Sequence, residues 1–230
     1  MQKPLAFIGT RTGADGLIMA AIRMGIKVAG WFDRYYYGNT ENFLGYPILG
    51  SDLEISDEDR ERYVFFLASH YSGHSLVDNP EHNGAALRRE RIDLIQRMNL
   101  PLINLIHPTA YIDPSAEIGQ GVYLGHLSMI MARAKVGDFC YLDHYAGIGH
   151  DVELQGNNVL LPHCIVAGGV MFEPGAMAGI NSAITPGTPE RLVVGRDAKI
   201  AAGAVVYRSV EPNQFVSVEG KRMRKLDADF

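Results

Sequence analysis

Among the eight histidines of this 230-residue chain, His150 stands directly before a carboxylate, Asp151. Imidazole titrates near neutrality, so a histidine beside an acid can take a proton from an attacking nucleophile and pass it on. The carboxylate can fix which ring nitrogen carries the proton and stabilise the imidazolium. An exposed turn would hold the same pair as an ordinary solvated His–Asp, and residue types alone leave both readings open. His126 and His144 are 18 residues apart, and His163 follows 19 later. Asp143, beside His144, can bind a substrate ammonium or simply face solvent. Near the start, Gly9-Thr10-Arg11-Thr12-Gly13-Ala14-Asp15-Gly16 puts a permissive turn and a cation ahead of a helical pattern, where phosphates approach helix N-termini. It is not G-x-G-x-x-G, so it is weak as a dinucleotide signal. Asp33 closes an apolar run, a place where an acid accepts hydrogen bonds from a ribose or base, or caps a turn.

Two kinds of element must position these groups. Up to about residue 106, strand-like and helix-like stretches alternate. Leu5–Ile8, Val28–Phe32, Tyr63–Ala68 and Leu102–Ile106 read as strands; Leu17–Met24, stopped by Gly25, and Ala85–Met98 read as helices. Alternation of this kind predicts a small parallel, Rossmann-like α/β domain. The polar stretch Ser69–Gly84 is long enough to be functional or mobile.

From Ala110 onward the period becomes six. Steps of six from Ile112 to Ile184 meet only apolar residues, and Val194, Ile200 and Val206 resume the series after an interruption near Thr188–Arg191. With 47% apolar residues, thirteen such hits in a fixed register arise by chance at roughly 5 × 10⁻⁵, so the repeat is real. Two residues before each lies a mostly small residue, including Cys140 and Cys164. Such a pattern predicts a hexapeptide solenoid of three-sided coils, with the branched residue inside, the small one at the corner, and residues 18 apart stacked. The two cysteines then read as reduced core residues on different faces, too few for a disulfide framework or zinc ribbon. The chain divides into 1–106 and 107–230.

Composition narrows the partners. A formal net charge of −5 argues against nucleic acid. No apolar run reaches the ~18–20 residues of a membrane span, and the first residues do not read as a signal peptide, so the expectation is a soluble cytoplasmic protein.

Read together, these residues resemble the left-handed β-helix sugar acyltransferases with a Rossmann-like N-terminal domain. That group includes the N-acetyltransferases of nucleotide-linked 4-amino sugars and sialic-acid O-acetyltransferase-like proteins. The resemblance rests on Phe7-Ile8-Gly9, Phe32-Asp33, Leu105-Ile106-His107-Pro108, Ile148-Gly149-His150-Asp151, Ala167-Gly168-Gly169-Val170 and Gly179-Ile180-Asn181-Ser182, with the basic tail Gly220-Lys221-Arg222-Met223. It implies a left-handed coil and a homotrimer, with acetyl-CoA between neighbouring subunits and a nucleotide-linked amino sugar held partly by the N-terminal domain. His150 falls on the family's catalytic base and Asp151 on its orienting acid. Gly168, Ile180, Gly203 and Lys221 fall on the cofactor side, and the Gly168 N–H is placed to stabilise a thioester oxyanion. Gly9, Arg11, Asp33, Asp143 and His144 fall on the substrate side. Two departures stand out: Asp143 replaces an Asn near the acceptor sugar, and Arg34 follows Asp33 where paired acids are usual. The same features leave O-acetylation as a variant. A γ-carbonic-anhydrase-like metal site and a non-catalytic scaffold remain as rivals; no metal is expected, because the close histidine pair of the anhydrases is missing.

Overall fold

The computed structural model describes residues 2–9, 14–39, 41–68, 84–186 and 190–217. The N-terminal elements are β1 (Leu5–Ile8), α1 (Asp15–Arg23), β2 (Val28–Phe32), β3 (Asn42–Phe43), β4 (Tyr46–Gly50), α2 (Asp57–Arg62), β5 (Val64–Leu67) and α3 (Gly84–Arg97). They build a sheet in the order β3-β4-β2-β1-β5. β4, β2, β1 and β5 are mutually parallel, but β3 is antiparallel to β4. The sheet is therefore mixed, where an all-parallel one was expected. The cause is local: Leu44 and Gly45 both take positive φ, 48° and 77°, which is the geometry of a two-residue hairpin turn.

The expected fourth strand also divides. Leu102 makes a single bridge to Phe65, whereas Leu105–Ile106 pairs with Tyr123–Leu124 in the solenoid. Between them the Asn104 side chain donates to the Gly119 carbonyl (2.8 Å) and accepts the Val122 N–H (3.0 Å), which ties the chain to the first coil.

Aromatic burial fills the N-terminal core, with Phe7 stacked on Trp31 at 4.6 Å between ring centroids. At the C-terminal ends of the strands lies a buried ion cluster. Arg91 of α3 donates to Asp33 (2.8 Å) and Asp52 (2.9 Å), and Arg34 also donates to Asp52 (3.0 Å). Burial pushes the Asp52 carboxyl up, but the hydrogen bond from Arg34 and the charge of Arg91 outweigh it and hold the group below its ordinary value.

The rest is a parallel β-solenoid of two-residue strands from Leu105–Ile106 to Phe215–Val216, forming three sheets. Successive coils pair residues 18 apart, as in Met129↔Gly147 and Tyr141↔Val159. Every position of the six-step series is the second, inward residue of its strand, and the core runs unbroken from Val122 to Val210. In the middle coils each corner turns on a left-handed residue, and Arg133, Phe139, Tyr145, Asp151, Asn157 and His163 supply it with φ between 53° and 61°. The pairing Phe172↔Val194 is 22 apart, four residues beyond the regular 18, so the interruption in the repeat is an enlarged corner.

The outward residues give the three faces different characters. On the first, Leu105, Tyr123, Tyr141 and Val159 are buried in one cluster with Phe7, Leu17 and Ile18 of the N-terminal unit. The second presents Tyr111, Met129, Ile165 and Val205, each 44–50% exposed. On the third, Glu117 pairs with Lys135 (3.7 Å) and Glu153 with Arg191 (3.1 Å). Helix α3 latches the N-terminal unit to the coils: Arg88 donates to the Asn157 side chain (2.7 Å) and the Phe139 carbonyl (2.6 Å), and Arg89 pairs with Asp197 (2.9 Å). Among the described residues no helix is long and apolar enough to cross a membrane.

Candidate functional site

His150 and Asp151 lie at the corner between the second and third faces, just after the strand Gly147–Ile148. Ile148 points into the core, so the corner that follows projects outward. The His150 Nδ1 is 2.7 Å from Asp151 Oδ2, and the two side chains are 66% and 45% exposed. Arg133, one coil below, grips the same carboxylate with two teeth, Nε to Oδ1 at 2.7 Å and Nη2 to Oδ2 at 2.8 Å. Arg133, then His150, hold the Asp151 carboxyl well below the usual carboxylate range. An ionised Asp151 can only accept, so His150 Nδ1 must be the donor, and in the neutral ring Nε2 is left as a basic lone pair.

That ring lies over the next coil. A Cβ built on Gly168 would come within 2.6 Å of both His150 Cε1 and Nε2. Any larger residue would push the imidazole away, so glycine is required by the histidine's position. The adjoining Gly169 N–H donates to the His150 carbonyl (2.8 Å). Arg133 was missed by sequence reading, although the signal existed: it sits 18 residues, one coil, before Asp151.

Asp143 and His144 occupy the other edge of the second face, the corner shared with the first. Asp143 is largely buried and accepts the His144 N–H at 2.8 Å. A Cβ on Gly16, in the first turn of α1, would lie 3.4 Å from His144 Cε1, so this edge meets the start of that helix. His126, His107 and Thr109 continue the edge downward. Thr109 Oγ1 is 2.8 Å from His107 Nδ1 and 2.9 Å from His126 Nδ1. Burial, then the charges of His126, Arg23 and His144, lower the His107 pKa. His163 is out of step with His144 because its stacking partner is Tyr145, at 4.6 Å and 7°. No group of three or more His, Cys, Asp or Glu among the described residues is arranged to hold a metal ion.

Ile180 (49% exposed) and Gly203 share the His144 edge. Gly9 takes φ +81°, and a Cβ there would run into the Arg91 guanidinium, so its constraint comes from the buried ion cluster. Asp33 is 1% exposed; its carboxylate receives Arg91 and the N–H groups of Tyr35 (2.8 Å) and Tyr36 (3.3 Å). Arg11 and Lys221 lie outside the described residues. Both cysteines are free and buried on different faces, their thiols pushed up to about 12 by burial. A cavity of about 510 Å³ beside α3, lined by Arg88, Arg89, Asp197, Lys199 and Phe215, contains none of the predicted site residues.

No family model matches the chain. A mutant of the perosamine N-acetyltransferase from Caulobacter crescentus, solved in complex with CoA and GDP-perosamine, is 26% identical and superposes with a TM-score of 0.77 over 92% of each chain. The chain is similar in fold and sequence to hexapeptide-repeat sugar acyltransferases. The acetyltransferase domain of PglB from Neisseria gonorrhoeae, solved with acetyl coenzyme A, shares the fold at 21% identity and TM-score 0.77, over 94% of this chain and 96% of that one. WeeI from Acinetobacter baumannii does so at 22% and 0.72, over 92% and 95%. Among curated proteins, the acyl-[acyl-carrier-protein]–UDP-N-acetylglucosamine O-acyltransferase of Brucella ovis is 32% identical over 105 residues. That alignment takes in 45% of this chain and 34% of the relative, so the chain spans about a third of the curated relatives it matches. The predicted residues that lie in the described solenoid fall on two edges flanking the exposed apolar face: His150, Asp151 and Gly168 on one, Asp143, His144, Ile180 and Gly203 on the other.

Proposed function

We propose that the protein transfers an acetyl group from acetyl-CoA to the amino group of a nucleotide-linked amino sugar, in the synthesis of a bacterial surface glycan. The observation that supports this most is the correspondence over 92% of both chains with an enzyme solved with CoA and GDP-perosamine. His150 Nε2 accepts the proton as the amine nitrogen attacks the thioester carbonyl. Asp151 stabilises the imidazolium, and the Gly168 N–H faces the developing oxyanion. Collapse of the tetrahedral intermediate breaks the C–S bond, and the imidazolium returns its proton to the departing thiolate.

Ile180, Gly203 and Lys221 are the remaining cofactor residues of this reading. The acceptor side of this reading is Arg11 in a Rossmann-like unit at residues 1–106, with Gly9 and Asp33 at the buried ion cluster, and Asp143 and His144 in a left-handed helix at 107–230. The assembly is a homotrimer closed over the second face. Its exposed apolar ladder supports a second copy as the occupant. So does the division of site residues between its two edges, since the His150 edge of one copy can then meet the Ile180 edge of the next. Acetyl-CoA and nucleotide sugars are cytoplasmic metabolites, which supports a cytoplasmic location.

The test is thiol release from acetyl-CoA across a panel of nucleotide-linked amino sugars. His150→Ala should lower turnover by roughly 10²–10⁴ and leave acetyl-CoA affinity nearly unchanged. Full turnover in that variant would remove His150 from the mechanism. The O-acyltransferase activity named for the Brucella relative favours a hydroxyl acceptor as the second reading. Hydroxylamine separates the two, because it cleaves an ester product and spares an amide.

A further inference from the structure

We propose that Arg133 is a positioning residue for the base: its two-toothed grip on Asp151 sets the tautomer and the basicity of His150. The inference deepens the acyl-transfer reading and rests on His150 being its base. Asp151 Oδ2 receives both Arg133 Nη2 (2.8 Å) and His150 Nδ1 (2.7 Å), while Oδ1 is taken by Arg133 Nε (2.7 Å). With both oxygens engaged, the carboxylate cannot turn away from the imidazole, and Nδ1 stays the protonated nitrogen. The main chain is held as well. The Arg133 N–H donates to Ser115 Oγ (3.0 Å), and the Asp151 N–H donates to the Ala132 carbonyl (3.0 Å). The two residues hold equivalent left-handed positions in successive coils, both with φ 58°, and this places their side chains one above the other.

Arg133 also shares the charge that would otherwise serve the imidazolium alone. A lone His–Asp pair would raise the histidine pKa; a guanidinium on the same carboxylate opposes that rise. Other charges on this edge are Asp113 in the coil below Arg133, which Ser115 engages at 2.6 Å, Arg191, which donates to the Gly169 carbonyl (3.0 Å) and pairs with Glu153, and the exposed Glu190 and Arg208 in the coils above.

Charge and fork can be separated. Arg133→Met removes both, and Arg133→Lys keeps the charge without the fork; both are unbranched and meet the same left-handed backbone. The measurement is ¹⁵N NMR titration of histidine-labelled protein, with His150 assigned by its loss in His150→Gln. In the parent, neutral His150 should carry its proton on Nδ1. Arg133→Met should mix the tautomers and raise the His150 pKa by about half a unit or more, with the acidic limb of kcat/KM moving up alongside. Arg133→Lys should mix the tautomers but leave the pKa near the parent value. Unchanged tautomer and pKa in Arg133→Met, or identical behaviour of the two variants, would overturn the proposal. The NMR needs no acceptor, so a protein that titrates as stated but releases no thiol counts against acyl transfer and not against the role of Arg133.

Discussion

At the scale of single residues, the site is built from three stacked corners: Arg133, the His150–Asp151 pair, and Gly168. The last of these makes a discriminating test, because its neighbour Gly169 is glycine for a different reason. Gly168 is glycine because the His150 ring occupies the space of its Cβ, whereas Gly169 has φ +74° and nothing within 4 Å of a Cβ. Gly168→Ala should displace the imidazole and lower kcat about 10²-fold, within the usual contribution of a positioned base, with little change in melting temperature. Gly169→Ala should do the reverse, losing about 1–2 kcal/mol for a left-handed alanine while the imidazole stays in place. Equal kcat in Gly168→Ala and the parent would mean that the ring position seen here is not the working one.

At the scale of elements, the N-terminal sheet depends on a charge cluster that joins β2, α3 and the segment after β4. Asp52 is fully buried and receives two guanidinium groups. Asp52→Asn leaves Arg91 and Arg34 without that charge in a dry site, and removing one partner of a buried pair typically costs about 3–5 kcal/mol. Urea unfolding at pH 7 should show a loss of this order. The pH dependence has a definite sign. The folded-state pKa of Asp52 lies below its unfolded value, so its contribution is fully present above the ordinary carboxylate range and fades as pH falls through the folded value. The gap between parent and Asp52→Asn should therefore hold above the ordinary carboxylate range and narrow only below it. A gap that closed between pH 7 and pH 5 would point to a different titrating group.

At the scale of the whole molecule, the three faces have three fates: one covered by the N-terminal unit, one laddered with charges, one apolar and open. Sedimentation at micromolar concentration should give about three protomer masses. Ile165→Asp, in the middle of the open face, buries no new charge within the protomer because Ile165 is 47% exposed there. On the proposed trimer, in which the two edges of a site come from different copies, it should yield a folded monomer with little activity. A monomeric Ile165→Asp that still turned over acetyl-CoA at the parent rate would end the shared-site reading.

The sequence alone determined the solenoid, its register and its inward residues. A six-residue period has only one way to bury Ile112, Leu142 and Phe172, and each coil repeats the same local geometry. It also singled out His150–Asp151, because adjacent residues on an outward corner remain adjacent after folding. Other features required the assembled chain. The Leu44–Gly45 hairpin carries no strong turn dipeptide, and the second part of Leu102–Ile106 left the first sheet because Asn104 found partners in the coil. Asp33 has the sequence position of a ribose ligand, yet Arg91, 58 residues later, takes its carboxylate inside the protein. The grip of Arg133 on Asp151 was latent in the 18-residue period, but a period says only which residues stack. Which side chains reach across the stack, and which face the N-terminal unit leaves open, is decided by packing between segments distant in sequence.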